Sequence, residues 1–385
     1  MKSAVVFGGT SGIGLSVVNH LQSSGYDKIY VIARNTDELP ESENVQFVQI
    51  NLSDLRFQIP DHLLEAEALF ITSGTGRLAF FKDLSISEAI NEITVNEISV
   101  IKIIKFFYEK LSGDKPFYCG VMGSITGYIN SPLYSVYSAS KSAVCRFIEC
   151  INTELEYAGS KNRILNCSPG HIEGTRFDGC ERSELSKLKE ITSEFVNRTF
   201  KGDTLFIPEY KEVYEDVILR YRNDPSKFGL ESLEYKLNNR NILNSKPRLK
   251  VGYLSGTFDL FHVGHLNLLR RAKQYCDYLV VGVHIDARHK GKETFIPFED
   301  RVEILKGISY VDQVIESCRE DVDVYKKDIV KYDYLFVGSD YEGTERFRKY
   351  EEYFKGKGVK IIYFPYTEKV SSTKLREKIS SGNKE

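Results

Sequence analysis

A pair of histidines follows an apolar run in the second half of the chain. The run Val251–Leu254 leads into Gly256–Asp259 (GTFD), and His262 and His265 follow shortly after. This order predicts a strand, a glycine turn and a helix N-terminus, which direct backbone N–H groups and the positive end of a helix dipole at an anion. Histidines three residues apart share one face of a helix, so both can donate to one phosphate chain. The motif therefore predicts a nucleotide-polyphosphate site.

A metal site is the alternative for the same two histidines, because closely spaced histidines also bind metal ions. The phosphate interpretation is favoured since no third ligand lies nearby and Gly264, between the histidines, suits a close approach of phosphate. We therefore predict no resident metal ion.

A tyrosine and a lysine four residues apart are the second candidate for chemistry. Tyr137 and Lys141 in YSVYSASKS share a face if the segment is helical. An ammonium beside a phenol lowers the pKa of the phenol and makes the tyrosine a usable general acid or base near neutrality. Ser124 follows the apolar run Phe117–Met122 and can reach the same point. These residues predict proton transfer to or from a substrate.

A glycine-rich turn, FGGTSGIG, opens the chain between a predicted strand and a predicted helix. Its glycines Gly8, Gly12 and Gly14 have the GxxxGxG spacing, which lets the backbone approach a pyrophosphate at a helix N-terminus. Arg34 follows the second predicted strand, Lys28–Ala33, at a position where an aspartate or glutamate would bind the ribose 2′-hydroxyl of NAD. An arginine there can pair with a 2′-phosphate, so NADP is favoured over NAD. The alternatives are a simple tight turn and a solvated arginine.

Short apolar runs and amphipathic stretches alternate through both halves of the chain. This alternation predicts an α/β fold with two doubly wound, parallel-sheet (Rossmann-like) domains in tandem. The polar stretch around Pro247 places the boundary, giving domains 1–245 and 246–385. Ligands of such sheets bind at the carboxyl ends of the strands, where the motifs above fall.

Composition limits the classes of partner. The 385 residues are 42% hydrophobic and 28% charged, with a formal net charge of −2, which argues against a nucleic-acid partner. No apolar run approaches the roughly 18 residues of a membrane span, so we expect no membrane partner. Seven cysteines without a CxxC pair predict reduced thiols and a cytoplasmic location.

The strand, the SxxG turn and the YxxxK helix together resemble the short-chain dehydrogenase/reductase family over roughly Lys2–Arg176. The resemblance implies a reductase that transfers hydride from NADPH to a carbonyl. It is also compatible with a homodimer. It implies four catalytic residues, Ser124, Tyr137, Lys141 and Asn96. The implied cofactor-binding residues are Gly8, Thr10, Ser11, Gly12, Ile13, Gly14, Arg34, Ser73, Gly74, Pro169, Gly170, Ile172 and Thr175.

The segment GTFDLFHVGH is similar to the HxGH motif of the nucleotidyltransferase superfamily, and Lys250–Ile379 resembles its glycerol-3-phosphate cytidylyltransferase branch. The resemblance implies CTP with Mg²⁺ and four catalytic residues, His262, His265, Lys290 and Arg301. Tyr366 stands where the branch has arginine and Lys369 where it has glycine, so ATP stays open as an alternative to CTP. The implied nucleotide-binding residues are Gly256, Thr257, Phe258, Asp259, Gly338, Ser371, Ser372 and Thr373.

The two resemblances in one chain imply a two-step reaction. A phosphorylated ketose or aldose is reduced to an alditol phosphate, and cytidylyl transfer then gives a CDP-alditol and pyrophosphate, for polymers of the capsule or teichoic-acid type. Ribitol, glycerol, arabinitol and mannitol are the candidate alditols. In the alternative, only the nucleotidyltransferase is active, and the first domain is a binding or dimerisation scaffold.

Overall fold

Two parallel β-sheets, each covered by helices, form the part of the chain that this computed structural model describes, residues 2–35, 42–175, 182–240, 249–286 and 293–365. The sheets belong to two compact units, Met1–Arg248 and Leu249–Glu385. The predicted fold class, two doubly wound parallel-sheet domains in tandem, is confirmed. The two units are described separately below.

The first sheet has seven parallel strands in the order β3-β2-β1-β4-β5-β6-β7. Side chains of the interior strand β1 alternate between two hydrophobic cores, because Val5 and Phe7 pack on one face while Ala4 and Val6 pack on the other. Burial of both faces is what a parallel sheet requires. The strands are β1 (Ser3–Phe7), β2 (Lys28–Ala33), β3 (Val45–Gln49), β4 (Ala68–Ile71), β5 (Tyr118–Met122), β6 (Ile164–Cys167) and β7 (Leu205–Phe206).

Eight helices accompany this sheet within the described residues. The sequence predicts one helix over Asn91–Phe107, but a π-helical turn, Thr94–Ile98, interrupts it. Such turns occur often at functional sites, and this one contains Asn96. The helices are α1 (Gly12–Ser23), α2 (Ile86–Ile93), α3 (Ser99–Phe106), α4 (Tyr108–Ser112), α5 (Ser135–Tyr157), α6 (Leu185–Lys201), α7 (Glu215–Asn223) and α8 (Pro225–Asn239).

The second sheet has five parallel strands in the order β10-β9-β8-β11-β12. Its helices also cover two faces, since Leu254 of the central strand packs in one core and Tyr253 in the other. The strands are β8 (Val251–Gly256), β9 (Tyr278–Val283), β10 (Gln313–Glu316), β11 (Tyr334–Gly338) and β12 (Lys360–Phe364), and the helices are α9 (Val263–Lys273), α10 (Phe298–Lys306), α11 (Asp321–Lys326) and α12 (Glu345–Phe354).

In each unit the first strand lies inside its sheet: β1 is third of seven strands and β8 is the middle one of five. The next strand of the chain, β2 or β9, pairs on one side, and a later strand, β4 or β11, pairs on the other. A crevice opens at the carboxyl end of such a strand, where successive connections diverge. The glycine turn follows β1 and the histidine pair follows β8, so both motifs lie at the predicted place. Among the helices in the described ranges, none is long and apolar enough to cross a membrane.

Candidate active sites

The glycine turn after β1 brings two loop backbones into close contact. A Cβ added at Gly8, which has φ +84°, would lie 2.6 Å from the backbone N of Ser73, and one added at Gly14 would lie 2.2 Å from the carbonyl oxygen of Gly8. Neither position therefore tolerates a side chain without a shift of the backbone. The turn joins the carboxyl ends of β1 and β4 into one surface.

A buried hydroxyl in this surface fits a polar ligand. Ser73 Oγ is buried and has no hydrogen-bond partner among the residues that the structure describes. Beside it, a Cβ added at Gly74 would lie 3.5 Å from Asn96 Oδ1 and 3.7 Å from Lys141 Nζ. Buried polar groups are nearly always satisfied, so an orphaned hydroxyl next to these side chains favours a bound dinucleotide.

The N-terminus of α1 is partly covered by the protein's own chain. Gly12 N donates to Ser183 Oγ at 2.6 Å, and Thr175 lies beside Gly12. Thr10, Ser11 and Ile13 occupy the same turn, and Ser11 is the N-cap residue of α1 without a side-chain cap. A pyrophosphate placed here would compete with Ser183 for the Gly12 N–H.

Arg34 lies directly after β2, at the same edge of the sheet as the glycine turn. Its backbone carbonyl accepts a hydrogen bond from Gln49 Nε2 at 2.9 Å, which fixes the backbone of this position. The pairing of its guanidinium with a 2′-phosphate stays a prediction.

Ser124 and Tyr137 meet at the start of the long helix α5. Ser124 follows β5 as the N-cap of the short turn Ile125–Gly127, and its Oγ accepts hydrogen bonds from Thr126 N at 3.2 Å and Thr126 Oγ1 at 3.0 Å. Its hydroxyl also hydrogen-bonds the Tyr137 phenol, whose ring lies 5.6 Å from the ring of Tyr134. Leu133, just before the helix, has φ +68°, a strained conformation typical of functional loops.

Lys141 lies one helical turn beyond Tyr137 and is buried, with 3% of its surface exposed. Its Nζ donates to the Met122 carbonyl at 2.8 Å and lies 5.8 Å from the centre of the Tyr137 ring. Burial lowers the pKa of Lys141 to about 8. Burial also raises the pKa of Tyr137, so the expected depression of the phenol pKa by the ammonium is wrong for this arrangement. Tyr137 is neutral near pH 7 and can donate a proton.

Asn96 is fully buried in the π-helical turn. Its Nδ2 donates to Thr75 O at 2.7 Å and to Ser140 Oγ at 3.1 Å, and its Oδ1 accepts from Thr75 N at 2.8 Å. Ser140 was not anticipated from the sequence, although it lies between Tyr137 and Lys141. The structure therefore brings Asn96 to the same site as Ser124, Tyr137 and Lys141.

The loop after β6 closes this site from the other side. Pro169 O accepts from Ile125 N at 2.9 Å, which ties the loop to the turn that presents Ser124. A Cβ added at Gly170 would lie 1.5 Å from Tyr214 Oη, so only glycine fits beneath this ring. Thr175 Oγ1 donates to the carbonyl of Ile172 at 3.2 Å. The loop residues named from the sequence thus border the site, while their contacts with a cofactor stay predictions.

In the second unit, His262 and His265 form the N-terminal turn of α9. His262 is the N-cap residue, and its Nδ1 accepts from Gly264 N at 3.0 Å. His265 Nδ1 accepts from His262 N at 3.4 Å, and the two rings stack with centres 4.0 Å apart. Because each Nδ1 accepts a backbone N–H, each neutral ring has its proton on Nε2. Both histidines are therefore neutral donors at the end of β8.

Burial holds these rings in the neutral form. Burial and the neighbouring ring of His262 lower the pKa of His265 to about 4, although Asp259 opposes the shift. Burial also lowers the pKa of His262. The two rings therefore add no positive charge to this site near neutral pH.

This lowered pKa predicts a pH-dependent stability. Between about pH 4 and 6.5 the unfolded chain binds a proton at residue 265 that the folded chain does not, so stability rises with pH in this window, by at most about 3 kcal/mol. His265→Gln should remove this contribution and leave the smaller rise that comes from the lowered pKa of His262. Urea unfolding at pH 4.5 and 7, with hydrogen exchange at the α9 amides reporting on the second unit alone, measures the difference. An equal rise in both proteins contradicts the assignment.

Asp259 and Arg301 hold the loops around the histidines. Asp259 is buried and accepts from Phe295 N at 3.1 Å and Ile296 N at 3.0 Å. Arg301 is 1% exposed, and its guanidinium donates to the carbonyls of Ile296 at 3.0 Å, His284 at 2.9 Å and of Thr257 and Ile285. Both side chains therefore position the loops. Direct contact of Arg301 with a triphosphate stays a prediction.

The other nucleotide-binding candidates lie partly at this edge. Gly256 ends β8, Thr257 and the buried Phe258 follow it, and the Phe258 ring contacts His265 with centres 5.3 Å apart. Gly338 ends β11, where an added Cβ would lie 2.4 Å from Asp340 Oδ1. Four predicted residues, Lys290, Ser371, Ser372 and Thr373, lie outside the described residues.

The metal alternative for the histidines gains no support from the geometry. Their Nδ1 atoms accept backbone N–H groups. Across the described ranges, no group of three or more histidine, cysteine, aspartate or glutamate side chains is arranged to hold a metal ion.

Comparison with known proteins separates the two units. Residues 2–185 match the family model described as short chain dehydrogenase, and residues 253–378 match the model described as cytidylyltransferase-like. The glycerol-3-phosphate cytidylyltransferase of Bacillus subtilis (strain 168) is 40% identical over 129 residues, which are 32% of this chain and 93% of that protein. The same enzyme of Staphylococcus aureus (strain NCTC 8325 / PS 47) is 36% identical over 129 residues, 32% of this chain and 90% of that protein.

Among solved structures, a short chain dehydrogenase from Burkholderia cenocepacia J2315 in complex with NADP superposes with a TM-score of 0.47. The sequence identity is 18%, over 60% of this chain and 99% of that chain.

Proposed function

Because the chain belongs to the cytidylyltransferase-like family through its second unit and contains a short-chain dehydrogenase domain in its first, we propose that it is a bifunctional enzyme. It reduces a phosphorylated ketose or aldose to an alditol phosphate with NADPH. It then transfers CMP from CTP to that phosphate, giving a CDP-alditol and pyrophosphate. The observation that most supports this proposal is the assembly of Ser124, Tyr137, Lys141 and Asn96 in the same chain as the paired neutral histidines.

For the reductase, the glycine turn, Ser73 and Gly74 would hold NADPH, which would supply the hydride. Ser124 donates a hydrogen bond to the substrate carbonyl and thereby orients it against Tyr137. Tyr137, neutral near pH 7, gives its Oη proton to the forming alkoxide. Lys141 and Asn96 lie beside Gly74 and hold the ribose side of the site, and Asn96 fixes the Thr75 backbone through two hydrogen bonds.

For the transferase, a phosphate oxygen of the acceptor forms a bond to the α-phosphorus of CTP, and the bond from that phosphorus to the bridging oxygen breaks, releasing pyrophosphate. Charge increases on the non-bridging oxygens and on the leaving group. His262 and His265 donate from Nε2 to these oxygens, which needs no change of protonation. Neither acts as a base, because the acceptor phosphate is already ionised. Mg²⁺ bound to CTP would neutralise part of the charge on its phosphates.

The acceptor of the second step is proposed from the relatives. Both cytidylyltransferases named above have glycerol 3-phosphate in their names, which is an alditol phosphate. A reductase in the same chain would form such an acceptor from a carbonyl phosphate. The product is an activated alditol phosphate, so the consuming reaction is transfer of that group to a growing polymer of the capsule or teichoic-acid type.

A coupled screen tests the two-step proposal. Purified protein with NADPH, CTP and Mg²⁺ is offered C3 to C6 keto- and aldose phosphates, while NADPH absorbance and pyrophosphate release are followed together. We expect one sugar phosphate to cause NADPH loss and CTP-dependent pyrophosphate release. Replacing CTP by ATP tests the nucleotide.

The same screen also tests the alternative function, in which the first domain is only a scaffold. Preformed alditol phosphates are included as acceptors. If they release pyrophosphate while no carbonyl compound consumes NADPH, the reductase half of the proposal is wrong and the scaffold function replaces it.

A further inference from the structure

Lys236 of helix α8 lies beside the tyrosine pair of the reductase site, and a second cation, Arg240, follows directly after the helix. Lys236 Nζ donates to Ser131 Oγ at 2.7 Å and to the Pro132 carbonyl at 2.8 Å, and it lies 5.5 Å from the centre of the Tyr134 ring. The Tyr134 ring in turn contacts Tyr137. Lys236 is therefore one side chain away from the proposed proton donor, although α8 is distant from it in sequence.

Arg240 is the C-cap residue of α8 and has an extended backbone conformation. Its guanidinium donates to His171 Nε2 at 3.1 Å, directly after the Pro169-Gly170 segment that borders the same site. His171 is thus a neutral acceptor that orients Arg240. Arg240 and Lys236 are close enough for their charges to repel each other.

The position of Lys236 is built into the fold. A Cβ added at Gly229 of α8 would lie 2.6 Å from Asn130 Nδ2, so the helix packs closely on the loop that precedes the catalytic tyrosine. Lys236 lies about two helical turns after Gly229 and holds the same loop through its hydrogen bonds to Ser131 and Pro132. Burial and the charge of Arg240 lower the pKa of Lys236 to about 8. None of the described carboxylates forms a salt bridge with this ammonium, since its contacts are a hydroxyl, a carbonyl and a ring.

We propose that Lys236 and Arg240 form the subsite that binds the dianionic phosphate of the reductase substrate. This inference rests on the proposed function, because it assigns the phosphate of the carbonyl compound to particular residues of that site. A phosphate between the two cations would relieve their repulsion and accept charge-assisted hydrogen bonds from both. The carbonyl end of the same molecule would then lie towards Tyr137 and Ser124. The subsite would select phosphorylated over free sugars.

Kinetics of matched variants test this subsite. Lys236→Gln and Arg240→Gln remove the charges, and glutamine at 236 retains a donor for Ser131 and Pro132. Lys227→Gln, at an exposed position of the same helix, is the control. We expect the KM for the active carbonyl phosphate to rise about 10- to 100-fold in the first two variants, and by less than about threefold in the control. The kcat/KM for the dephosphorylated sugar and the KM for NADPH should stay within the same threefold.

Two kinetic outcomes overturn the inference. If kcat/KM falls equally for the phosphorylated and the free sugar, Lys236 only supports the loop. A raised KM for NADPH with an unchanged KM for the sugar phosphate indicates that the cations bind a cofactor phosphate instead.

A labelling experiment separates this inference from the proposed function. At pH 8 an amine with a pKa of about 8 is half neutral, so Lys236 should be acetylated faster than an ordinary lysine. Inorganic phosphate should protect Lys236 but not Lys227, as measured by peptide mass spectrometry, and Arg240→Gln should weaken the protection. Protection in a protein that reduces no carbonyl compound supports the subsite while the reductase proposal fails. Absence of protection overturns the subsite.

Discussion

Tyr137→Phe is expected to lower NADPH oxidation by about 10²- to 10⁴-fold, the range over which a positioned general acid contributes to a rate. The substitution removes only the phenol oxygen, which hydrogen-bonds Ser124 and is the proton donor nearest to the carbonyl in the proposed geometry. Phenylalanine preserves the ring contact with Tyr134, so the site keeps its shape. The measurement is NADPH absorbance with the carbonyl phosphate found in the screen.

The second activity of the same chain provides an internal control. Pyrophosphate release from CTP with an alditol phosphate should be unchanged in Tyr137→Phe, because its proposed residues lie in the other compact unit. Tyr157→Phe, on the same helix but 96% exposed, should leave both activities unchanged. A Tyr137→Phe protein that still oxidises NADPH at the wild-type rate excludes this phenol as the acid.

The pH profile of the reduction reports on Lys141. Burial lowers the pKa of its ammonium to about 8, so the positive charge is present below that pH and lost above it. We expect the reduction rate to fall as the pH rises through about 8, whereas the neutral phenol of Tyr137 persists because burial raises its pKa.

The sequence predicted the features that depend on local pattern. Buried strands and glycine turns are set by short-range periodicity and by backbone conformation, so β1, β2 and β8 lie close to their predicted positions. The Tyr137–Lys141 spacing likewise placed both residues on one face of a helix. A single helix was predicted where the π-helical turn occurs, because hydrophobic periodicity does not determine a change in hydrogen-bond register around Asn96.

Features that depend on distant contacts could not be predicted in this way. The guanidinium of Arg301 donates to backbone carbonyls from three separate segments, which no local pattern indicates, while its contact with a triphosphate stays a prediction. Lys236 was not identified because the loop that it contacts lies about a hundred residues earlier in the chain. In both cases the role of the cation follows from tertiary packing rather than from its sequence neighbours.

His265→Asn is expected to lower CTP-dependent pyrophosphate release by about 10²- to 10³-fold, the usual cost of losing one preorganised donor to developing charge. His265→Gln should retain a larger part of the rate. A glutamine amide reaches roughly as far as Nε2 of histidine, whereas an asparagine amide ends near Nδ1. The difference between the two variants therefore reports whether the donor at Nε2 is what the transition state uses.

Proton transfer by His265 would give a different result. The pKa of His265 is lowered to about 4 and its Nδ1 accepts the His262 N–H, so the ring stays a neutral donor through the physiological range. The wild-type transferase rate should accordingly show no titration of this residue between about pH 5.5 and 8. If glutamine is as inactive as asparagine, and the wild-type rate follows a group titrating in that interval, the histidine exchanges a proton during the reaction. NADPH oxidation by the same preparations confirms that the first unit is intact.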